Sequence, residues 1–360
     1  MTLGQPGAIA PPEDSADPGV PWHFGDPLAE QRTAARSAVV VDRSHRGVIA
    51  VPGEDRLTWL HSLTSQHMTE LGDGTGTELL VLDVQGRVEH HAVVAELDGT
   101  VWLDTERERV APLLDYLTKM VFWSKVEPRD ATDELAVLTV LGPTATDVLG
   151  AAGVTAPTTP GEVLALPGGG FARRMSAPDS VDLLVPRAEL DAWWTRLTDA
   201  GARPAGSWTY EALRVESLRP RLGMDTDERT IPHEVAWIGR AVHLEKGCYR
   251  GQETVARVHN LGKPPRRMLL LHLDGSQEVL PPPGSPVTAG GKVVGRVGTA
   301  VLHHELGPIA LALLKRSVPV ESELTAGEGE DVVSAAVDPD SVPPDTGEQP
   351  GRAALRRLRG

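Results

Sequence analysis

Apolar residues follow two alternating rhythms along the chain: short runs that suit strands, and a three-to-four spacing that suits helices. "SHRGVIAVPG" (44–53) has strand composition, and "EDRLTWLHSLTSQHM" after it places Leu57, Leu60, Leu63 and His67 along one side of a predicted helix. Its acids fall in the first turn, where a helix N-terminus favours them. "TELLVLDVQGRVEHHAVVAELDGTVWLD" predicts antiparallel strands joined by hairpin turns at Gln85-Gly86 and Asp98-Gly99. Thr105 and Glu108 predict a capping box ahead of a helix whose buried side is Val110, Leu113, Leu114 and Leu117. These make a first α+β unit.

A second unit starts near Glu134 with strand "LAVLTVLG" and helix "PTATDVLGAAG". A Gly-rich break, strand "VDLLVP" and a helix through Leu190, Trp193, Trp194 and Leu197 complete it, the order of a ferredoxin-like half. The tryptophan pair lies on the apolar stripe and is expected in the core. "SWTYEALRVESLRPRLGMD" predicts another helix, with Ala212, Val215 and Arg219 on the side of Glu216, and "ETVARVH" predicts a strand. The short strands "MLLLHL", "PVTAGGKVVGRVGTAVLH" and "PIALALLKR" then predict a small barrel.

Both ends lack periodicity. Met1 to about Gly19 predicts a flexible lead-in. Glu321–Glu348 carries nine acids and no Lys or Arg before the basic "RAALRRLRG", which predicts a solvated tail. A chain of 360 residues exceeds one usual core, so two or three packed units are expected. The net charge of −15 disfavours nucleic-acid backbones and acidic lipid as partners. No run reaches the roughly 18 apolar residues needed to span a bilayer, and none resembles a signal peptide. With a single cysteine and no zinc-like spacing, the expectation is a cytoplasmic protein with no disulfide, metal site or membrane partner.

That cysteine, Cys248, stands in "KGCYRGQE", Lys246–Glu253. Cations favour thiolate, and Lys246 and Arg250 lie two residues to either side. Gly247 and Gly251 permit a close backbone approach. The plainer alternative is a small buried hydrophobe in a tight turn. Glu216 can accept paired N–H bonds from an aminopyrimidine-like ring, or be an ordinary surface acid. His90-His91 and His303-His304 are strand neighbours that point to opposite faces, so neither pair chelates one ion. No phosphate-binding loop or GxSxG elbow is present.

"KGCYRGQE" followed by "TVAR", which ends at Arg257, resembles the signature of the YgfZ family, K-G-C-[FY]-x-G-Q-E with a following arginine. "PWHFGDP", "DRSHRGVIAVPGEDRLTWLHSLTSQ" and "LRVESLRPRLGMDTDERTIPHE" resemble that family and its relatives, the glycine-cleavage T-proteins, and the likeness covers roughly residues 20–320. The resemblance implies an α+β fold with two ferredoxin-like α+β domains and a C-terminal small antiparallel β-barrel, arranged as a three-domain disc with a central cavity. The expected division is 21–130 with 206–260, then 131–205, then a barrel at 261–320. Disordered ends are expected at 1–20 and 321–360.

The cofactor implied is tetrahydrofolate or a one-carbon derivative, its pterin held by the glutamate that Glu216 matches. Cys248 is the implied reactive group, with Lys246, Gly247, Tyr249, Arg250, Gly251, Gln252, Glu253 and Arg257 shaping its surroundings. T-proteins carry an aspartate pair where "GRVEHHAV" stands here, so His90 and His91 are the residues expected to face the cofactor. The family's role implies assembly or repair of iron–sulfur clusters, with iron–sulfur client proteins or cluster carriers as partners, including radical enzymes that modify transfer RNA. One cysteine is too few to hold a cluster, which normally takes four protein ligands. The rival readings are a folate-dependent aminomethyltransferase or demethylase, and an adaptor with no ligand.

Overall fold

The computed structural model describes residues 2–277 and 279–343. The chain divides into two units: the first runs to Leu60 and adds Met68–Glu78 and Ala92–Ser217; the second comprises His61–His67, Leu79–His91 and the chain from Leu218. In order, the elements as far as the domain boundary are α1 (Pro27–Ala34), β1 (Val39–Asp42), β2 (Gly47–Pro52), α2 (Arg56–Leu63), β3 (Thr75–Leu82), β4 (Val88–Leu97), β5 (Thr100–Thr105), α3 (Val110–Lys119), β6 (Arg129–Asp130), β7 (Leu135–Leu141), α4 (Ala145–Ala151), β8 (Val163–Ala165), β9 (Phe171–Ser176), β10 (Asp179–Pro186), α5 (Leu190–Asp199), β11 (Arg203–Ala205) and α6 (Ser207–Glu216). Then come α7 (Gln252–Leu261), β12 (Arg266–Leu273), β13 (Pro286–Ala289), β14 (Lys292–His303), β15 (Gly307–Lys315), β16 (Leu324–Ala326) and β17 (Val333–Val337).

One sheet has the order β3-β4-β5-β2-β6 and the other β11-β1-β7-β10-β9-β8. The predicted hairpins at Gln85-Gly86 and Asp98-Gly99 are present, with positive φ at Gly86, Asp98 and Gly99 as tight turns require. In the six-stranded sheet only β1 and β11 run parallel. Its core gathers Trp193, Trp194, Leu197, Leu149 and Leu183, so the tryptophan pair packs as expected. Strand β1 pairs with β7 and β11, which places residues 39–42 in the sheet that holds the strands of the expected second unit.

Several local expectations are corrected. Helix α2 stops at Leu63, so His67 lies beyond it, and α6 stops at Glu216, so Arg219 shares no helical side with that acid. No side-chain cap forms at Glu106, where a 3-10 turn leads into α3 in place of the Thr105–Glu108 box. "ETVARVH" lies in helix α7, not in a strand. The Gly-rich break contains β8 and β9, concealed because "FARRMS" spends an inward position on Arg173. The lead-in is built in: Ile9 N–H donates to His23 O at 2.9 Å, Trp22 N–H to Ile9 O at 2.7 Å, and Thr2 Oγ1 to Asp42.

The barrel is closed, with the strand order β12-β15-β14-β13-β16-β17. It runs through residues 324–337, so the expected tail begins later than Glu321. "VSAAV" alternates buried Val333, Ala335 and Val337 with exposed Ser334 and Ala336, a period-two strand whose small residues give little hydrophobic signal. Without β16 and β17 the ends of the sheet would be left as open edges. "RAALRRLRG" lies outside the described residues.

Residues 218–234 pack against the barrel within the second unit. Asp225 accepts from Thr299 N–H at 2.7 Å and from Arg221 N–H at 2.8 Å. Gly298 makes room for it, since a Cβ there would lie 2.4 Å from Asp225 Oδ1. Arg266 forks onto both Asp227, at 2.6 and 3.0 Å, and Glu234, at 2.9 and 2.8 Å. Burial raises the Asp227 carboxyl, but hydrogen bonds from Arg266 and Thr230 prevail and hold it down at about 2. A folded-state value below the usual 3.8 stabilises the protein fully above 3.8, and that stability is lost as pH falls through about 2. In acid titrations followed by unfolding, the parent is therefore expected to weaken across that window, and Asp227→Asn to lack this part of the loss.

Candidate functional site

The second unit brings the Cys248 motif against the β3–β4 hairpin. Asp83 Oδ1 accepts from the N–H groups of Gln85 and Arg87, both at 2.8 Å, which fixes the turn. Gly251 has φ 84°, and a Cβ there would lie 2.5 Å from Asp83 O and 2.9 Å from Gly86 Cα. Gly86 reciprocates: its Cβ would lie 2.8 Å from Thr254 Cβ and 3.0 Å from Gly251 O. Two backbones thus touch where side chains would not fit.

Helix α7 begins directly after Gly251. Gln252 closes the loop before it: its Oε1 accepts from Tyr249 N–H at 3.2 Å, and its own N–H donates to Tyr249 O at 3.3 Å. Cys248 is exposed at the crest of this loop, not buried as a small hydrophobe. Gly247 beside it is exposed and has no atom within 4 Å of where a Cβ would sit. Glu253 and Arg257 are exposed on α7.

The two flanking cations are already engaged. Lys246 is buried, and its ammonium donates to the carbonyls of His61, Thr64 (2.5 Å) and Gln66 (3.1 Å), which lie in and just past the last turn of α2. It caps carbonyls that the helix end leaves unpaired. Burial lowers it to about 8, and its nitrogen lies 5.0 Å from the centre of the Tyr249 ring. Burial also pushes the Tyr249 hydroxyl up to about 12. Arg250 donates through Nε to Leu82 O and through Nη2 to the Glu89 carboxylate. Lys246 is therefore a structural tie, in contrast to the expectation of a cation beside the thiol.

Sequence reasoning missed the supports of this loop. Ser65 Oγ donates to Ala241 O at 2.6 Å and accepts from Leu80 N–H at 3.1 Å, and Gln66 Nε2 donates to Arg240 O at 3.0 Å. Both residues lie in "LTSQ", a polar break after an apolar helix and the one visible signal for them. His90 and His91 are each 8% exposed, and His91 stacks on buried Trp237 at 5.0 Å and 17°. Among the described residues no group of three or more His, Cys, Asp or Glu is arranged to hold a metal ion. No described helix is long and apolar enough to cross a membrane.

Glu216 lies in the first unit, exposed at the last position of α6. A helix C-terminus disfavours an anion, and Leu218 two residues on has φ 52°, a costly conformation for a branched side chain.

Two family models match the chain. The model for the GCVT N-terminal domain matches residues 19–159, and that for the CAF17 C-terminal beta-barrel domain matches 266–344. The chain is 28% identical to the chloroplastic protein At1g60990 of Arabidopsis thaliana, named a transferase, over 72% of this chain and 61% of that one. It thus spans about three fifths of that relative. It is 27% identical to the aminomethyltransferase of Streptomyces avermitilis over 89% of each chain. In structure it matches the glycine cleavage system aminomethyltransferase T from Bartonella henselae with a TM-score of 0.82 at 18% identity, over 94% of this chain and 96% of that one.

Proposed function

The fold is that of the T-proteins, closed by a CAF17-type barrel, and we infer that the chain is a tetrahydrofolate-binding protein that assists assembly or repair of iron–sulfur clusters in client enzymes. The observation that carries this reading is the exposed Cys248, held on a loop in which Gly251, Lys246 and Gln252 each make a fixed contact. A structural cysteine would need none of that support.

The folate side rests on Glu216. An exposed carboxylate kept at an unfavourable helix end suits the adjacent N–H donors of a reduced pterin, and its acceptors match that edge. Tetrahydrofolate, when bound, would supply a carrier for one-carbon units. The chain's own part is to orient the ring through Glu216 and to offer the Cys248 thiol as a nucleophile or as a contact for a client's cluster. A single thiol leaves the remaining cluster ligands to the client.

Calorimetric titration with reduced folate tests the first half. Binding to the parent is expected, with a loss of about 10- to 100-fold in Glu216→Ala, the cost of a hydrogen-bonded charge. Absence of heat with the parent overturns folate binding. Cys248→Ala is expected to fail to restore cluster-enzyme activity in cells lacking the native copy; full restoration removes the thiol from the function.

The coverage of the aminomethyltransferase relatives favours one second reading, a folate-dependent aminomethyl transfer or demethylation. Turnover of an aminomethylated carrier or of dimethylglycine with tetrahydrofolate would select it.

A further inference from the structure

Between Thr2 and Gly19 no apolar side chain is buried, and the two residues that are buried there, Thr2 and Asp17, are polar. Ile9 pairs with His23 through backbone alone, its side chain left 45% exposed. A segment that buries so little apolar surface lies at the low-stability end of a fold and opens readily.

Both buried side chains reach the turn between β1 and β2. Thr2 Oγ1 donates to Asp42 Oδ2, and Asp17 Oδ1 lies 3.0 Å from His45 Nε2. Among the described residues Thr2 is the one donor to Asp42 Oδ2, whose other oxygen accepts from Ser44 N–H at 2.7 Å. The His45 side chain is 7% exposed, and its Nδ1 is buried with no hydrogen-bond partner. A buried polar atom left unpaired costs free energy and calls for a partner. Arg43 and Arg46 of the same turn are taken by acids of the sheets. What the turn offers is therefore an acceptor at Asp42 and an imidazole at His45, met by a hydroxyl and a carboxylate of the lead-in.

We propose that Asp42 and His45 form a ligand subsite that the lead-in covers as a strap. The Thr2 hydroxyl stands where a ligand's N–H or O–H donor would bind, and the Asp17 carboxylate where its carboxylate would. Reduced folates carry both groups, so the proposal rests on the folate reading and adds a regulation to it. The turn packs beside the helix that ends in Glu216: the Arg43 guanidinium lies 3.8 Å from the centre of the Tyr210 ring, and Glu216 follows Tyr210 by about 9 Å along α6. Strap and ligand compete, and linkage makes each weaken the other by the same factor.

The test uses the full-length chain. Thr2→Val with Asp17→Ala removes both contacts of the strap, and calorimetric titration with reduced folate is expected to show about tenfold tighter binding than in the parent. Asp17→Ala alone is expected to give part of that gain. In the double-variant background, His45→Ala is expected to weaken binding by tenfold or more, through loss of a hydrogen bond to a charged group. Hydrogen exchange reads the strap itself: adding folate to the parent is expected to speed exchange over residues 3–17 several-fold, whereas a strap with a merely structural role would keep its protection.

Equal affinities for the parent and the double variant overturn the proposal, and so does strap exchange that folate leaves unchanged. Unaltered affinity after His45→Ala overturns the subsite. No heat from either chain overturns folate binding itself, a result set apart from the others because in them the parent binds.

Discussion

Arg173→Met is expected to destabilise the first unit by about 3–5 kcal/mol, the cost of breaking a buried charge network by removing one partner. Arg173 is 1% exposed, and its Nη2 donates to Asp104 at 2.5 Å and to Asp182 at 3.0 Å. Arg46 bonds Asp104 and Glu106, both at 2.8 Å, and Arg43 bonds Asp182 at 3.2 Å. Three guanidinium groups thus balance three carboxylates, and all six side chains are buried. Burial pushes the Asp104 carboxyl up, and Arg46 and Arg173 overcome it and hold it well below the usual carboxylate range.

Taking one cation away leaves a net negative charge among side chains that are buried away from solvent. Lysine keeps the charge, but its ammonium is more strongly hydrated than a guanidinium and costlier to bury, so Arg173→Lys is expected to recover less than half of the loss. Urea unfolding followed by tryptophan fluorescence measures this directly, since seven of the eight tryptophans lie in the first unit. A loss under about 1 kcal/mol would mean that the acids find other partners.

The same network explains what could be read from the sequence and what could not. Strands β7 and β10 announce themselves as apolar runs, and the hairpins by their glycine turns. Strand β9 hides because Arg173 sits at an inward position and is neutralised by Asp104, 69 residues earlier in the chain. Hydropathy sees an arginine, whereas the fold sees a paired ion. Strand β17 hides for the opposite reason, its inward residues being too small to stand out. Helix α7 reads as a strand because Val255 and Val258 within "ETVARVH" imitate strand composition, while the mark of a helix is the left-handed Gly251 that starts it.

In the candidate site, the letters of the motif were legible and their roles only partly so. Lys246 and Arg250 look alike beside a cysteine, but one is buried on helix-end carbonyls and the other is held at the surface by an acid 161 residues earlier. Charge spacing along a chain cannot tell a cation buried on carbonyls from one paired at the surface. Glu216 was legible by resemblance; the helix end and the left-handed Leu218 beside it are structural facts.

Gly251→Ala is expected to dislodge the Cys248 loop, and Gly247→Ala to leave it in place, although both remove a motif glycine. At Gly251 the left-handed backbone alone costs a side chain about 1–2 kcal/mol. The added carbon would also strike Asp83 O at 2.5 Å and Gly86 Cα at 2.9 Å, and neither backbone atom can swing aside. Relief requires the loop and hairpin to part, which strains the Arg250 bonds to Leu82 and Glu89. At Gly247 a Cβ meets nothing within 4 Å, so alanine is expected to be near neutral. Hydrogen exchange over residues 247–256 separates the cases: Gly251→Ala should lose protection by tenfold or more, the equivalent of about 1.4 kcal/mol, while the barrel amides hold theirs. If the two variants exchange alike, the contact between Gly251 and Gly86 does not hold the loop, and the thiol is presented by α7 alone.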